Sequence, residues 1–415
     1  MSGGYLAFIL SNWRFAGFGA FMAFSSSFGQ TYFIGVFGPE LRAEFGLTHT
    51  AWGAIYMTGT LCSALVLPFT GKLIDRIDLR AYAAVVSVAL ALACVGISSV
   101  FGPITLALAI FALRQTGQGL SAHVAQTAMA RYFEDTRGRA IAVTALGFAA
   151  AEAALPVAAV AAIGEFGWRH AYLGAAALQL LVFFPFLQWL LVGHPKRHGA
   201  YLRRQARRKR SESGPGTGWS RSEVLRDLRF YTLMPGVFAP SVVLTALFFH
   251  HLTIADAKGL SHAFMTGSYV IYAAATTLTS LLAGPVIDRI GAVRVVPMML
   301  VPLAFGLFLL GTFSGTPALW LYLVLCGVST GITYTAVSAM WAELYGLSHL
   351  GAIRAMATAL SVFGSAVGPV IMGAMIDAGM SISAVLYWFA AYVVLGAVLL
   401  HIGVKMPSTA RVAVR

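Results

Sequence analysis

The sequence predicts an all-α integral membrane protein of twelve transmembrane helices, arranged as two parallel-related six-helix bundles. Three observations predict it: an apolar composition that water does not tolerate, twelve apolar segments of membrane-crossing length, and one fixed offset that maps the first half of the chain onto the second.

Of the 415 residues, 59% are apolar and 10% charged. A soluble domain typically carries about a quarter charged residues, and a single hydrophobic core rarely grows beyond about 250–300 residues. In water such a chain would expose more hydrocarbon than a soluble surface tolerates, whereas lipid solvates it. Cys62, Cys94 and Cys326 lie far apart inside apolar segments. They give no disulfide framework and no metal spacing, and read as small buried hydrophobes. The first apolar segment begins near Phe15 and is too long for the roughly 7–15-residue apolar region of a signal peptide, so no cleavable leader is expected.

Crossing about 30 Å of hydrocarbon takes roughly 20 apolar residues. The segments, spans 1 to 12, are 14–37, 50–70, 81–101, 104–130, 139–163, 169–192, 230–254, 263–284, 292–313, 317–342, 352–376 and 381–404. Helices are required because the bilayer core offers backbone groups no water. Interior residues such as Pro156, Pro240 and Gly327 therefore read as kinks or close-packing points.

Lysine and arginine set the orientation. With the N-terminus inside, the cytoplasmic side holds Arg14, Lys72, Arg76, Arg80, Arg131, Arg137, Arg139, the 196–229 loop, Arg289, Arg294, Arg354, Lys405, Arg411 and Arg415. The outer side holds Arg42, Arg169 and Lys258. Both termini are thus expected in the cytoplasm, in the cell (inner) membrane. The net charge of +13 is concentrated in KRHGAYLRRQARRKR at 196–210. That run has no nucleic-acid module around it and reads as a basic cytoplasmic loop. The domains expected are a bundle over 1–192, a basic linker over 193–229 with Ser, Gly and Pro at 211–218, and a second bundle over 230–415. The linker composition suits a flexible tether.

The repeat has one register. GLTHT at 46–50 recurs as GLSHA at 259–263, GKLIDRI at 71–77 recurs as GPVIDRI at 284–290, and Gly138 maps to Gly351, all at one and the same offset. Each half has an even number of spans, so the halves run parallel. Parallel repeats about an axis along the membrane normal build one large class of carriers, with a site near the midplane.

Two formal charges fall deep within spans, Arg114 and Glu152. A mid-membrane charge costs about 2.5–3.5 kcal/mol on insertion scales and marks a functional site by default. At about 1.5 Å per residue both lie roughly 15–16 Å from the outer end of their spans. An Arg114–Glu152 ion pair or water-bridged pair is therefore expected. Two roles stay open: a static lock between spans 4 and 5, or a coupling site in which Glu152 carries a proton and Arg114 holds substrate. Burial raises a carboxylate pKa and a nearby Arg lowers it.

Gln118 and Ser121 share the Arg114 face at helical spacing, while His123 lies opposite and reads as packed. Gln30 and Tyr32 in span 1, Tyr269 and Tyr272 in span 8, and Tyr334 in span 10 lie at the depth of a central cavity, where packing is the competing role. His250 and His251 near the outer end of span 7 point about 100° apart, so one of them at most faces a pathway; His250 is the candidate pH-sensitive outer gate. Glu343 and Arg354 flank a short cytoplasmic loop and are expected to pair.

Gly71, Asp75, Arg76 and Arg80, with their second copy Gly284, Asp288, Arg289 and Arg294, and Arg114 with Gly117 and Gly119, resemble the signatures of the major facilitator superfamily. The resemblance implies the twelve-helix fold and alternating access. It also implies a cytoplasmic gate at Gly71, Asp75, Arg76, Gly284, Asp288 and Arg289, whose charges pair with the neighbouring bundle in one state. FSSSFGQTYFIGVFGPELRAEFG at 24–46 and FFHHLTIADAKGLS at 248–261 loosely resemble the monocarboxylate and oxalate–formate carrier branch. That branch places a cation in helix 8, or in helices 1 or 11, to hold a carboxylate; here spans 263–284 and 352–376 contain no lysine, and Arg354 sits at the cytoplasmic end. GFAAAEAALPVAAV at 147–160 lacks the Gly-Pro-Gly-Gly motif of the drug–proton antiporters.

These readings converge on a secondary active transporter for a small organic solute, a small organic anion such as a monocarboxylate, coupled to protons. The alternative is an efflux pump for amphipathic compounds, and a remote one is a non-transporting receptor of the same fold. No Walker-type GxxxxGK[ST] occurs, and no nucleophile–base set or metal cluster converges, so neither an enzyme nor a cofactor or metal is expected. The partners expected are substrate, protons and lipid, without nucleic acid, around a monomer.

Overall fold

The computed structural model describes residues 5–133, 136–195, 197–199, 201, 203, 219–346 and 349–407. Among them all regular structure is helical. The chain forms two compact units, Met1–Glu40 with Thr58–Gly214, and Leu41–Met57 with Pro215–Arg415. The later boundary falls inside the basic linker, whose residues 204–218 lie outside the described residues. The earlier one was not legible in the sequence: span 2 is divided, its first turns belonging to the second unit.

Among the described residues, nine stretches are long and apolar enough to cross a membrane. One of them, Arg137–Leu190, holds spans 5 and 6 together. They are joined at Gly167, where φ is +79°, a conformation open to glycine. Spans 1 and 4 fall outside the nine. Counting the joined pair as two and adding spans 1 and 4 restores the twelve expected crossings.

Helices in lipid gain little from the hydrophobic effect and associate through close packing and small residues. In the first unit, a Cβ on Gly147 of span 5 would stand 1.9 Å from the carbonyl oxygen of Ala20 in span 1. In the second, a Cβ on Gly368 of span 11 would stand 2.1 Å from the carbonyl of Val242 in span 7. Both sites bring backbone against backbone. Phe8, Phe15, Phe18, Met22, Tyr82, Val124, Met129 and Leu187 form the core at the basic end of the first unit.

Helix starts at the basic ends are fixed by aspartates. Asp78 Oδ1 accepts from the backbone N–H groups of Arg80 (2.9 Å) and Ala81 (3.3 Å), capping Leu79–Ser98. Asp227 caps Leu228–Phe249 and accepts from Arg229 Nε at 2.8 Å. Arg229 also lies 5.6 Å from the centres of the Trp219 and Tyr345 rings.

Candidate functional site

Span 1 is discontinuous. An α-helix, Tyr5–Ser25, tightens into a 3-10 turn, Ser26–Gly29, and stops at Gln30, which is extended (φ −84°, ψ 153°). A short helix, Thr31–Ile34, and a further turn lead into Gly38–Phe45. The unbroken helix expected over 14–37 is therefore corrected. Opposite the break, span 4 is α-helical over Pro103–Leu113 and Ala122–Tyr132, but a π-helix over Arg114–Ser121. Such turns occur mostly inside α-helices and frequently at functional sites.

The two irregularities fit each other. A Cβ on Gly29 would lie 2.1 Å from the Leu113 carbonyl oxygen, so only glycine lets the broken segment of span 1 rest on span 4. Arg114, 1% exposed, donates from Nη1 to the Gly29 carbonyl at 3.2 Å and to Thr31 Oγ1 at 3.4 Å. The break takes the Gly29 carbonyl out of regular helix bonding, and the guanidinium supplies a donor. Discontinuous helices whose irregular backbone lines a site are the pattern of carrier binding sites.

Buried amides surround this junction. Ser63 Oγ donates to Gln115 Oε1 at 2.9 Å, and Gln115 Nε2 donates to Thr70 Oγ1 at 2.8 Å. Ser25 Oγ donates to Gln179 Oε1 at 2.8 Å, and Gln179 sits in a second π-turn, Gln179–Phe183. Sequence reasoning missed both glutamines because they carry no formal charge; a lone Gln inside an apolar span was the available signal.

The other expected site residues of the first unit fall as follows. Gln30 forms the break, and Tyr32 shares a 2.6 Å hydrogen bond with Ser27 Oγ. Gln118 is half-buried in the π-segment. The face-sharing of Gln118 and Ser121 with Arg114 assumed α-helical spacing, which the π-helix does not keep. Ser121 Oγ donates instead to the Thr116 carbonyl, one π-turn back, at 2.7 Å. Glu152 is half-buried, and the expected Arg114–Glu152 pair is not among the ion pairs of the described residues. Equal depth along two helices leaves their rotation open, and Arg114 is turned toward span 1. His123 packs beside Gly71 and lies 3.4 Å from Thr127 Oγ1.

In the second unit, Tyr272 OH donates to Thr330 Oγ1 at 3.1 Å, and Tyr269 meets Phe248 and His251 edge-on. Tyr334 is 71% exposed. Span 7 breaks at His250 (φ −103°, ψ 18°), and both histidines are buried. His250 Nε2 donates to the Pro369 carbonyl at 2.9 Å, and His251 Nδ1 bonds the Phe248 carbonyl.

The same unit contains a latch that the sequence did not reveal. Asp377, the last residue of Leu350–Asp377, accepts from the backbone N–H of His49 (3.1 Å), the N–H of Thr50 (2.7 Å) and Thr50 Oγ1 (2.6 Å). From the end of span 11 it thereby caps His49–Gly71, the helix of span 2. Arg42 Nη1 lies 3.0 Å from His49 Nε2. Burial lowers the Arg42 pKa, and the Asp377 and Asp256 carboxylates oppose that shift. Trp52 stacks on Phe249 at 4.9 Å, and Tyr56 packs on the same ring at 4.6 Å.

At the basic end of the first unit, Asp75 pairs with Arg131, whose Nη1 also donates to the Ile74 carbonyl at 3.2 Å. Gly71 ends its helix just before the turn Lys72–Asp75, and Arg76 is exposed. In the second copy Gly284 lies within Tyr269–Ile290, and Asp288 and Arg289 are exposed. There Glu343 accepts from the backbone N–H groups of Ala292 (2.7 Å) and Val293 (3.0 Å). The Glu343–Arg354 pair expected from the sequence is replaced by this cap. At the repeat offset Arg131 falls on Leu344, next to Glu343. Each half therefore grips its motif loop from the end of its fourth span, with an arginine in one and a carboxylate in the other.

The Major Facilitator Superfamily family model matches residues 19–276 and 251–413. The chain belongs to the major facilitator superfamily. Comparison with curated proteins gives no match. Among solved structures, the nucleoside transporter NupG superposes with a TM-score of 0.73 at 14% identity, over 95% of this chain and 99% of that one. The xylose transporter XylE from E. coli, in an inward open conformation, gives 0.66 at 14% identity, over 95% and 96%. A bacterial homolog to the human lysosomal transporter Spinster gives 0.64 at 13% identity, over 97% of each. At such identities the likeness concerns the fold. Membership makes this chain a multi-pass secondary transporter rather than an enzyme.

Proposed function

We propose that this superfamily member carries a small organic anion, a monocarboxylate being the simplest, in symport with protons. The observation that carries the reading is the buried Arg114 guanidinium lodged against the break in span 1. A guanidinium stays charged and presents a fork that matches a carboxylate. The broken segment places the Gly29 carbonyl and the Thr31 hydroxyl beside it, so substrate binding and the shape of span 1 are linked through one side chain. Glu152, half-buried in span 5, is the proton carrier in this reading, because a carboxylate in an apolar span gains or loses a proton as its surroundings change. In this reading the motif loop of each unit, held by Arg131 in the first and by Glu343 in the second, faces the cytoplasm, as the lysine and arginine bias suggests. In this reading the Asp377 contact within the second unit is made in one state of the cycle and released in another.

A second reading is favoured by the buried amides. Gln115 and Gln179 are suited to hydroxyl-rich neutral solutes, the class to which the substrates named for NupG and XylE belong. Uptake into proteoliposomes under an imposed pH gradient separates the two. Carboxylate uptake that falls at least about thirtyfold in Arg114→Ala, as loss of a buried charge contact implies, and that loses its pH-gradient drive in Glu152→Gln supports the anion reading. Sugar or nucleoside uptake that survives Glu152→Gln sinks it, and transport of amphipathic compounds alone moves the assignment to efflux.

A further inference from the structure

A pocket of about 190 Å3 opens between the start of span 1 and the end of span 6, among residues the transport site does not use. Its walls include Arg14, Arg197 and His194 and, among the described residues, no acidic one. The Arg14 guanidinium lies 5.2 Å from the centre of the Trp189 ring and donates from Nη2 to the Trp189 carbonyl, while its Nε is buried without a hydrogen-bond partner among the described residues. Arg197 lies 4.4 Å from the centre of the Phe15 ring, and no carboxylate is described beside it. His194 is 3% exposed; its Nε2 is 3.5 Å from Tyr132 OH, and its Nδ1 is likewise without a partner among the described residues. Burial is also the main reason the His194 pKa is lowered, so the ring is neutral at pH 7 and donates from one nitrogen. Span 1 leaves helical geometry at Asn12 (φ −126°, ψ 16°), in the wall of this pocket.

We propose that this pocket binds a phosphate group, supplied by the headgroup of an anionic phospholipid. Three features argue for it. Two guanidinium groups and a buried imidazole converge on one small space with no acidic residue among the described residues of its wall, while the Asp78 carboxylate acts on His194 from outside that wall. Guanidinium forks match phosphate oxygens, and basic pockets between membrane helices on the cytoplasmic side suit anionic headgroups. The volume lies below the roughly 300–1,000 Å3 of sites for larger ligands. Trp13 and Trp189, about half exposed with ring centres 5.5 Å apart, flank the mouth as an interfacial aromatic belt does. A lipid phosphate resides at that depth, and the neighbouring Trp faces accept its acyl chains.

The test is native mass spectrometry of the full chain in detergent, titrated with phosphatidylglycerol, phosphatidylcholine or inorganic phosphate, with thermal midpoints recorded alongside. Retained phosphatidylglycerol adducts and a raised midpoint are expected, with phosphatidylcholine much weaker. Affinity should fall about fivefold in Arg197→Gln and about 25-fold when Arg14→Gln is added. Arg14→Lys keeps the charge and serves as the readout if Arg14→Gln does not fold. Equal retention of both lipids, or equal phosphatidylglycerol affinity in wild type and Arg197→Gln, overturns the proposal. Stabilisation by inorganic phosphate without phosphatidylglycerol adducts overturns the lipid source and keeps the phosphate pocket.

Discussion

A Cβ added to Gly29 would stand 2.8 Å from the Cα of Gly117, and one added to Gly117 would stand 2.7 Å from the Cα of Gly29. The two glycines form the contact on which the broken span 1 and the π-turn of span 4 depend. Gly29→Ala or Gly117→Ala forces these backbones apart, and overpacking of this kind costs about 1–3 kcal/mol. A drop in thermal midpoint together with loss of transport is expected. Unchanged transport in both variants would show that the junction is not part of the pathway.

The latch at Asp377 makes a separate prediction. Asp377→Asn keeps the shape but removes the charge that accepts from His49 and Thr50. Loss of a helix cap costs about 0.5–2 kcal/mol. A cysteine placed at the partly buried Ala51 in a variant lacking the native cysteines should react faster with an impermeant thiol reagent when Asp377 is Asn. Equal rates in both backgrounds count against a latch.

The motif aspartate is expected to act on conformation rather than on stability. The Asp75 side chain is 64% exposed and its Arg131 partner 16%. Exposed pairs contribute about 0–1 kcal/mol. Asp75→Asn should leave the thermal midpoint within about 2–3 °C while shifting thiol accessibility between the two sides. Glu343→Gln, which weakens two backbone contacts at once, should lower the midpoint more than Asp75→Asn does. The reverse order would mean that the two loops are not held in the way their hydrogen bonds imply.

His194 gives a pH dependence. Its pKa is lowered from 6.5, chiefly by burial, with Asp78 opposing the shift and His198 and Arg197 adding to it. The unfolded chain therefore binds a proton here before the folded chain does, and stability falls as pH drops. The contribution is complete above about pH 6.5 and is lost progressively below it. Replacing His194 by Gln should flatten part of the decline in thermal midpoint between about pH 7.5 and 5; an unchanged slope would assign the decline to other groups.

Much of this was legible in the chain. The apolar runs, the lysine and arginine bias and the single repeat offset set the helix count, the expected orientation and the family resemblance, because hydrophobicity and charge act locally along the sequence. Arg114 stood out for the same reason, as a charge where lipid tolerates none. The partner expected for it did not follow. Depth is read from residue count, but rotation about the helix axis depends on whether the turn is α or π, and nothing in RQTGQGLS alone announces a π-helix. The neutral amides Gln115 and Gln179 gave no charge signal, although they are hydrogen-bonded within the bundle.

By itself the sequence determined what is set by partition between water and lipid: twelve helices, two halves and a buried cation. Only the tertiary structure decided that Arg114 turns to Gly29 and Thr31 rather than to Glu152, that Asp75 pairs with Arg131, and that Asp377 at the end of span 11 caps the helix of span 2. Those contacts depend on backbone breaks, helix rotation and close approach at glycines. They are properties of packed helices, and no local pattern of residues encodes them.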